Sequence, residues 1–501
     1  MGYPTKVRPT IARRCKKATP LTSCFERLLA RCRSASLQER VEARLRHHLY
    51  WQMLCLSRHT VTGLLYTGGQ QLHDWTGDYR LYSQGRVDVN QLFDVTREDL
   101  ESMLPEGSPL VVAMDDSILR KMGKKIPGVA WRVDPTGPPF QINFVLGQRV
   151  LQRSAAVPFG KLGQARSIPI DFVEAPTAKR PKKNASEQEK QAYREVQRQK
   201  NINAVGLGRV VLLTEKTQRA IRLTVDGRFT NRTVIKQLPE SVALIGRIRR
   251  DAKLYAVPAG ELTGAKGGRP RRYGARLPTP EEIRKDDSIP WQTVKAYAAG
   301  QVHEFRVKTL EAVKWRPAGA GKVLRLILIE PLAYRLREGG KLLYREPAYL
   351  ICTEAAMPLA EVLQAYLWRW GIEVNFRDEK SVLGVGEAQV HHERSVQAVP
   401  AAAVAAYSFL LLAGIGAYGP DGIPEELPDP KWMRGRKPRP CPTQRLISQL
   451  RLEAWGEQRP EKGFCGFPAG STQRDHRSGV NQKPQKPLSP LDSAAFYARN
   501  A

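Results

Sequence analysis

Tyr366, Arg369, Glu373 and Lys380 stand at offsets 0, 3, 7 and 14 along the chain. On a helix that advances about 100° per residue, those offsets bring a phenol, a guanidinium, a carboxylate and an ammonium within roughly 60° of one another. One carboxylate among cations and an aromatic ring suits a helix that holds a metal ion and grips phosphates. The alternative is a solvated face, with Glu373 paired to Arg369 and Arg377 at i,i+4 spacing. Two further acidic sites lie upstream. PLVVAMDD (109–116) is an apolar run that closes on Asp115 and Asp116, and IRLTVDG (221–227) closes on Asp226. Each has the form of a buried strand delivering an acid at its C-terminal end. Carboxylates that converge on one edge of an open α/β sheet suit two Mg²⁺ ions, which hard oxygen ligands hold while leaving room for water and phosphate oxygens. Such a pair activates water or a 3′-hydroxyl on one side and stabilises the leaving oxygen on the other.

The elements that must position these groups are legible in outline. LAEVLQAYLWRWGIEVNFRDEK (359–380) reads as one helix opened by Pro358, with Leu363, Leu367, Trp370 and Val374 as the stripe that docks it on a core. Residues 1–35 carry nine Lys/Arg against one acid and read as a flexible basic arm. Residues 36–106 read as helical. Ser36 is placed to cap the first helix and Thr60 a second, and the unit is either a DNA-binding module or a bundle that shields the next domain. INFVLGQRVLQRSAAVP (142–158) reads as two strands. A basic cluster (179–183) leads into a helix that Ser186 and Glu189 open as a capping box and that runs to about residue 203. FTNRTVIKQL is a short helix and VALIGRI (242–248) a buried strand.

This order, strand-Asp, strand, strand, helix, strand-Asp, helix, strand, is that of an RNase H-like α/β domain, in which the next element is a helix carrying a third acid. Here that helix is delayed. Residues 249–347 alternate as an antiparallel β insertion, and their loop GGRPRRY offers Arg269 and Arg271 to a minor groove or serves as a basic linker. The expected fold is therefore α/β: an RNase H-like catalytic domain in two parts (107–248 and 348–420) interrupted by a β-rich insertion. A helical domain precedes it, and a basic linker, short helix and flexible tail (421–501) follow. The uncharged run 398–417 has the length of a membrane span, but its alanine and glycine content reads as a buried core helix.

Lysine and arginine exceed aspartate and glutamate by 80 − 49 = 31, which points to a polyanion, with nucleic acid as the default. Seven cysteines without CxxC spacing read as reduced thiols. Eight scattered histidines do not make a zinc hydrolase, and Ser117 has no evident base to activate it as a nucleophile.

The spacing Tyr366-x2-Arg369-x3-Glu373-x6-Lys380 resembles the Tyr-Arg-Glu-Lys signature of DDE transposases from bacterial insertion sequences. AMDDS (113–117) and TVDGRFTN (224–231) resemble that family's first- and second-acid motifs, and the resemblance spans roughly 60–420. It implies that Asp115 bridges two Mg²⁺ ions, with Mn²⁺ able to replace them, and that Asp226 and Glu373 hold one each. Asp115 is preferred to Asp116 because the family pattern is Asp-x-Ser/Thr. Tyr366, Arg369 and Lys380, with Arg377 on the same helix, would contact DNA. Trp291 or Trp315 in the insertion would stack on a flipped base, unless they serve a core. The partners implied are double-stranded DNA, as terminal inverted repeats and target, and a second copy of the chain, with no membrane, in the bacterial cytoplasm at the nucleoid. A structure-selective nuclease on the same scaffold and a catalytically silent DNA-binding repressor are the alternatives.

Overall fold

The strand Leu110–Arg120 (β1) buries Leu110, Val112 and Met114 on one side and Val111 and Ala113 on the other, as a strand covered on both faces must. In the computed structural model, which describes residues 20–32, 38–134, 137, 140–258, 272–319, 321–335, 339–424 and 441–457, β1 is an interior strand of an 11-stranded sheet. It pairs in parallel with β5 (Ile221–Val225), and β5 pairs in parallel with β6 (Val242–Arg247). On its other side β1 pairs antiparallel with β3 (Phe144–Phe159), which carries the short edge strand β2 (Val129–Val133) and the strand β4 (Gln164–Glu174). The core order β4-β3-β1-β5-β6, with three parallel strands and an antiparallel flank, is the expected RNase H-like arrangement.

Two details of this core differ from the expectation. Residues 142–158 do not form two strands. From Phe144 on they lie within the single long strand β3, and the third core strand is β4, reached by a turn that Gly160 and Gly163 make at φ 65° and 91°. The capped helix α6 (Glu187–Gln199) ends before a further helix, α7 (Ile202–Lys216), which the sequence reading did not separate. Both capping-box bonds of Ser186 and Glu189 are present. Gly206 brings α7 against Met114 on one face of the sheet, and α8 (Arg232–Lys236) follows β5, capped by Asn231.

The insertion extends this same sheet. Strand β13 (Ala348–Cys352) pairs antiparallel with β6, and outward from it come β10 (Leu324–Ile329), β9 (Gln301–Trp315) and then β7 (Leu254–Ala256), with β8 (Gln292–Ala298) also on β9. A separate hairpin joins β11 (Ala333–Arg335) to β12 (Leu342–Tyr344), and α9 (Pro280–Lys285) opens on a Thr279–Glu282 capping box. Arg269 and Arg271 lie outside the described residues.

The longest helix, α12 (Glu393–Tyr418), is apolar and long enough to cross a membrane, yet its apolar window is wholly buried inside the protein. Around it pack α1 (Pro20–Arg31), α2 (Glu39–Leu54), α4 (Thr76–Ser83) and α5 (Val89–Ser102), while α3 (Val61–Thr67) packs on α2 and is capped by Thr60. Residues 20–31, read from composition as part of a flexible arm, form α1 instead. Leu21, Phe25, Leu28 and Leu29 recur at helical spacing and are at most 1% exposed, so the cations of this stretch occupy only its outer face. Ser36 lies outside the described residues, and Gln38 stands at the N-cap of α2. The C-terminal helix α13 (Thr443–Glu457) folds back on α1, α2 and α12, with Arg451 donating to the carbonyls of Met53 and Cys55. Phe25 sits edge-on to Tyr50 with ring centroids 5.3 Å apart. Phe25→Ala should therefore destabilise the protein by about 3–5 kcal/mol in denaturant unfolding, whereas an arm outside the core would lose nothing.

Candidate active site

The hydrogen-bond register places the acids. Met114 pairs with Val225 in the parallel ladder of β1 and β5, and that pair is its last. One step further, Asp115 stands beside Asp226, on neighbouring strands about 4.8 Å apart. β1 itself continues to Arg120, held only by β3, so Asp115 is not at the strand's end as expected but at the end of its parallel section. Alternation sends Asp115 to the face of Ala113, which packs against Ile372 and Phe376. It sends Asp116 to the opposite face, where Arg228 bonds it at 2.7 Å. That ion pair separates the two adjacent aspartates by role: Asp116 is already paired, and Asp115 faces the helix that carries Glu373. The backbone amides of Arg228 (2.9 Å) and Phe229 (3.4 Å) donate to Asp226 Oδ1, which orients its carboxylate.

The helix expected over 359–380 is present as two, α10 (Leu359–Trp368) and α11 (Trp370–Ser381), joined at Arg369 with the backbone still helical. The bonds there, Arg369 N to Tyr366 O and Ile372 N to Arg369 O, are i to i−3, a tighter turn than the α-helix makes. The docking face changes with it. Val362, Leu363 and Ala365 of α10 and Ile372 and Phe376 of α11 are buried, whereas Trp370, expected in the apolar stripe, is 60% exposed.

Across this joint Arg369 connects the site. Its guanidinium donates to Glu373 Oε1 at 2.9 Å and lies 3.5 Å from Asp115 Oδ2, and its central carbon stands 5.7 Å from the centre of the Tyr366 ring. Burial disfavours the charge of Arg369, but Tyr366, Glu373 and Asp115 outweigh it and raise its pKa. Burial, then the neighbouring Asp226 charge, push Asp115 up to about 7, against the Asp116 amide and Arg369. Burial likewise raises the Tyr366 phenol, with Arg369 and Arg247 opposing. Lys380 donates to Ser117 Oγ at 2.6 Å, two residues beyond Asp115 on the same face of β1. Ser117, considered as a nucleophile without a base, is thus the anchor of a lysine.

Asp115, Asp226, Glu373, Tyr366, Arg369 and Lys380 therefore gather on one side of the sheet. Arg377 does not join them: it turns to Asp378 Oδ1 (2.9 Å), so Glu373 has the Arg369 partner of the i,i+4 reading but not the Arg377 one. Trp291 lies under Lys308 Nζ (4.6 Å from the ring centre) and Arg306 (5.3 Å). Among the described residues no three His, Cys, Asp or Glu side chains come close enough together to cage a metal ion. Arg369 accounts for this, since its guanidinium occupies the space between Asp115 and Glu373. The donor set still fits a hard cation: the Asp115–Asp226 pair is rich in oxygen, and burial together with the charge of Asp226 leaves Asp115 short of a positive partner.

A parallel strand trio with acids side by side at the end of its ladder, faced by a helix bearing a third acid, defines the RNase H-like nucleases and transposases as a class. The chain belongs to the DDE superfamily endonuclease family, whose model matches residues 34–322. The match takes in Asp115 and Asp226 and stops short of Glu373. Membership makes DNA the substrate class and phosphodiester chemistry the reaction class. No curated protein matches the chain.

Asp115 offers a sign test of the geometry. Its pKa near 7 in the fold exceeds the ordinary 3.8, so the native state holds an extra proton between about pH 4 and 7. Its contribution to stability is complete below that window and is lost as pH rises through 7. Asp115→Asn removes the penalty, and should gain roughly 1–3 kcal/mol over wild type at pH 8 and little at pH 4 in metal-free thermal melts. A gain that is the same at both pH values would contradict the buried acidic pair.

Proposed function

We propose that this protein is a DNA transposase that cleaves the ends of an insertion sequence and joins the freed 3′-hydroxyls to target DNA, as a dimer on double-stranded DNA, at the bacterial nucleoid. The observation that carries this reading is the row made by Asp115 and Asp226 on adjacent parallel strands, with Glu373 brought to it by Arg369. Asp115, Asp226 and Glu373 are the residues that would hold Mg²⁺ or Mn²⁺. When bound, two such ions supply an activated water or 3′-hydroxyl and neutralise the leaving oxygen.

The chain's own groups do the rest. Burial and the like charge of Asp226 hold Asp115 partly protonated, and a cation held by the pair would favour its ionised form. Asp226, oriented by the amides of Arg228 and Phe229, presents its second oxygen to the site. Arg369, with Tyr366 stacked beside it, is suited to a bidentate grip on a phosphate, and Lys380 to a point charge further along the strand. The spacing of these groups on α10 and α11 supports the Tyr-Arg-Glu-Lys resemblance, and the excess of 31 positive charges supports a DNA partner.

Asp115→Ala, Asp226→Ala and Glu373→Ala should each lower cleavage of a labelled duplex carrying the DNA that flanks the reading frame by about a thousandfold or more. Binding should fall less than tenfold, and EDTA should stop the wild type. Cuts at fixed positions in the flank identify a transposase, and cuts that follow branches regardless of sequence identify a structure-selective nuclease. Full cleavage by the three variants would overturn the site.

A further inference from the structure

We infer that the cleft running from Gly227 to Trp315 is a phosphate-binding subsite for the DNA strand on the β6 side of the carboxylates. This rests on the DNA reading above and names where that strand goes. The same register argument that joins the two acids extends one strand further. Val225 pairs with Gly246, so the next residues, Asp226 and Arg247, stand side by side. Asp115, Asp226 and Arg247 thus form one row across three adjacent strands, and the charge of Arg247 acts on the Tyr366 phenol.

Arg247 lines a cleft of about 940 Å³, walled also by Arg249, Arg250, Arg284, Tyr349 and Trp315. This lies toward the upper end of the usual ligand-site range of about 300–1,000 Å³. Its charges divide into those with a structural partner and those without. Arg249 is paired with Asp251 at 2.8 Å, and Arg284 with Glu281 at 2.7 Å. Arg247 and Arg250 are exposed, and among the described residues neither has a carboxylate within 4.0 Å. Glu346 is the remaining acid of the lining. Two guanidinium groups left without counter-ions, one of them in line with Asp226, in a cleft that Trp315 also lines, match the spaced phosphates of a nucleic-acid strand. The carboxylates then lie between two cationic stations: Lys380 with Ser117 on the β1 side, and Arg247 with Arg250 on the β6 side.

The test measures binding of the full-length protein to a fluorescent duplex and to its single strand across a salt series, wild type beside Arg247→Gln/Arg250→Gln. Arg194→Gln/Arg198→Gln on α6 removes the same charge outside the cleft lining. Losing two phosphate contacts should reduce the slope of log K against log salt by about 1.8 on duplex or about 1.4 on single strand. The first result assigns the cleft to duplex backbone and the second to an unpaired strand, and either supports the subsite, provided the α6 variant changes the slope less. An unchanged slope on both DNAs, or an equal loss in the α6 variant, overturns the subsite while leaving the DNA reading intact. A wild type without salt-dependent DNA binding overturns both. Arg250→Gln alone, with half the slope change expected, serves if the double variant melts below wild type.

Discussion

The parallel register of β1 against β5 is the constraint on which the rest of the site depends. Backbone hydrogen bonds that pair Met114 with Val225 leave Asp115 and Asp226 adjacent whatever the side chains prefer. A slip of one residue would turn every side chain of β1 to the other face and present Asp116, already bound by Arg228, in place of Asp115. Packing on both faces opposes that slip. Val112 and Met114 are fully buried on the side of α7, and Ala113 fits beneath Ile372 and Phe376 on the side of α11. The core therefore fixes the placing of the acids by fixing the register.

Burying Asp115 and setting Asp226 beside it both have an electrostatic cost, visible in the upward shift of Asp115. Arg369 offsets part of it. Its planar fork reaches two carboxylates at once, which a lysine ammonium would do less well, and the tightened turn between α10 and α11 is where that fork originates. In the absence of a cation Arg369 is thus the counter-ion of both Asp115 and Glu373. The residue type that serves carboxylates in this way is also the type that grips phosphate.

Much of this was legible in the chain itself. The strand-Asp runs, the Ser186 capping box, the Thr60 cap and the buried reading of α12 follow from local chemistry, and local chemistry survives folding. What escaped was of two kinds. The first was competition between signals: nine cations over residues 1–35 outweighed, in the reading, the apolar spacing of Leu21, Phe25, Leu28 and Leu29, which won in the structure because only one face of α1 need be apolar. The second was non-local. Nothing in the insertion's alternation says that β13 will pair with β6 and make one continuous sheet, and nothing near Trp291 says that Lys308 and Arg306 will cover it. The partners of the site residues fall in the same class. Arg228 for Asp116 and Ser117 for Lys380 lie inside the quoted motifs, but their pairing is a product of tertiary structure.

The helix that carries Glu373 is also held from behind, by groups outside the Tyr-Arg-Glu-Lys spacing. Thr443 at the start of α13 donates to Asp378 Oδ2 at 2.6 Å, Tyr407 of α12 donates to the same oxygen at 3.4 Å, and Asn375 donates to the Tyr407 hydroxyl at 3.3 Å. Asp378 and Asn375 are both on α11, on the side away from Asp115. A buried carboxylate must be satisfied fully or it costs more than an apolar residue would, so this node locks α11 to one rotation about its axis. Rotation of α11 is what sets the direction of Glu373, and the docking of α13, from beyond residue 440, becomes part of how the third acid is aimed.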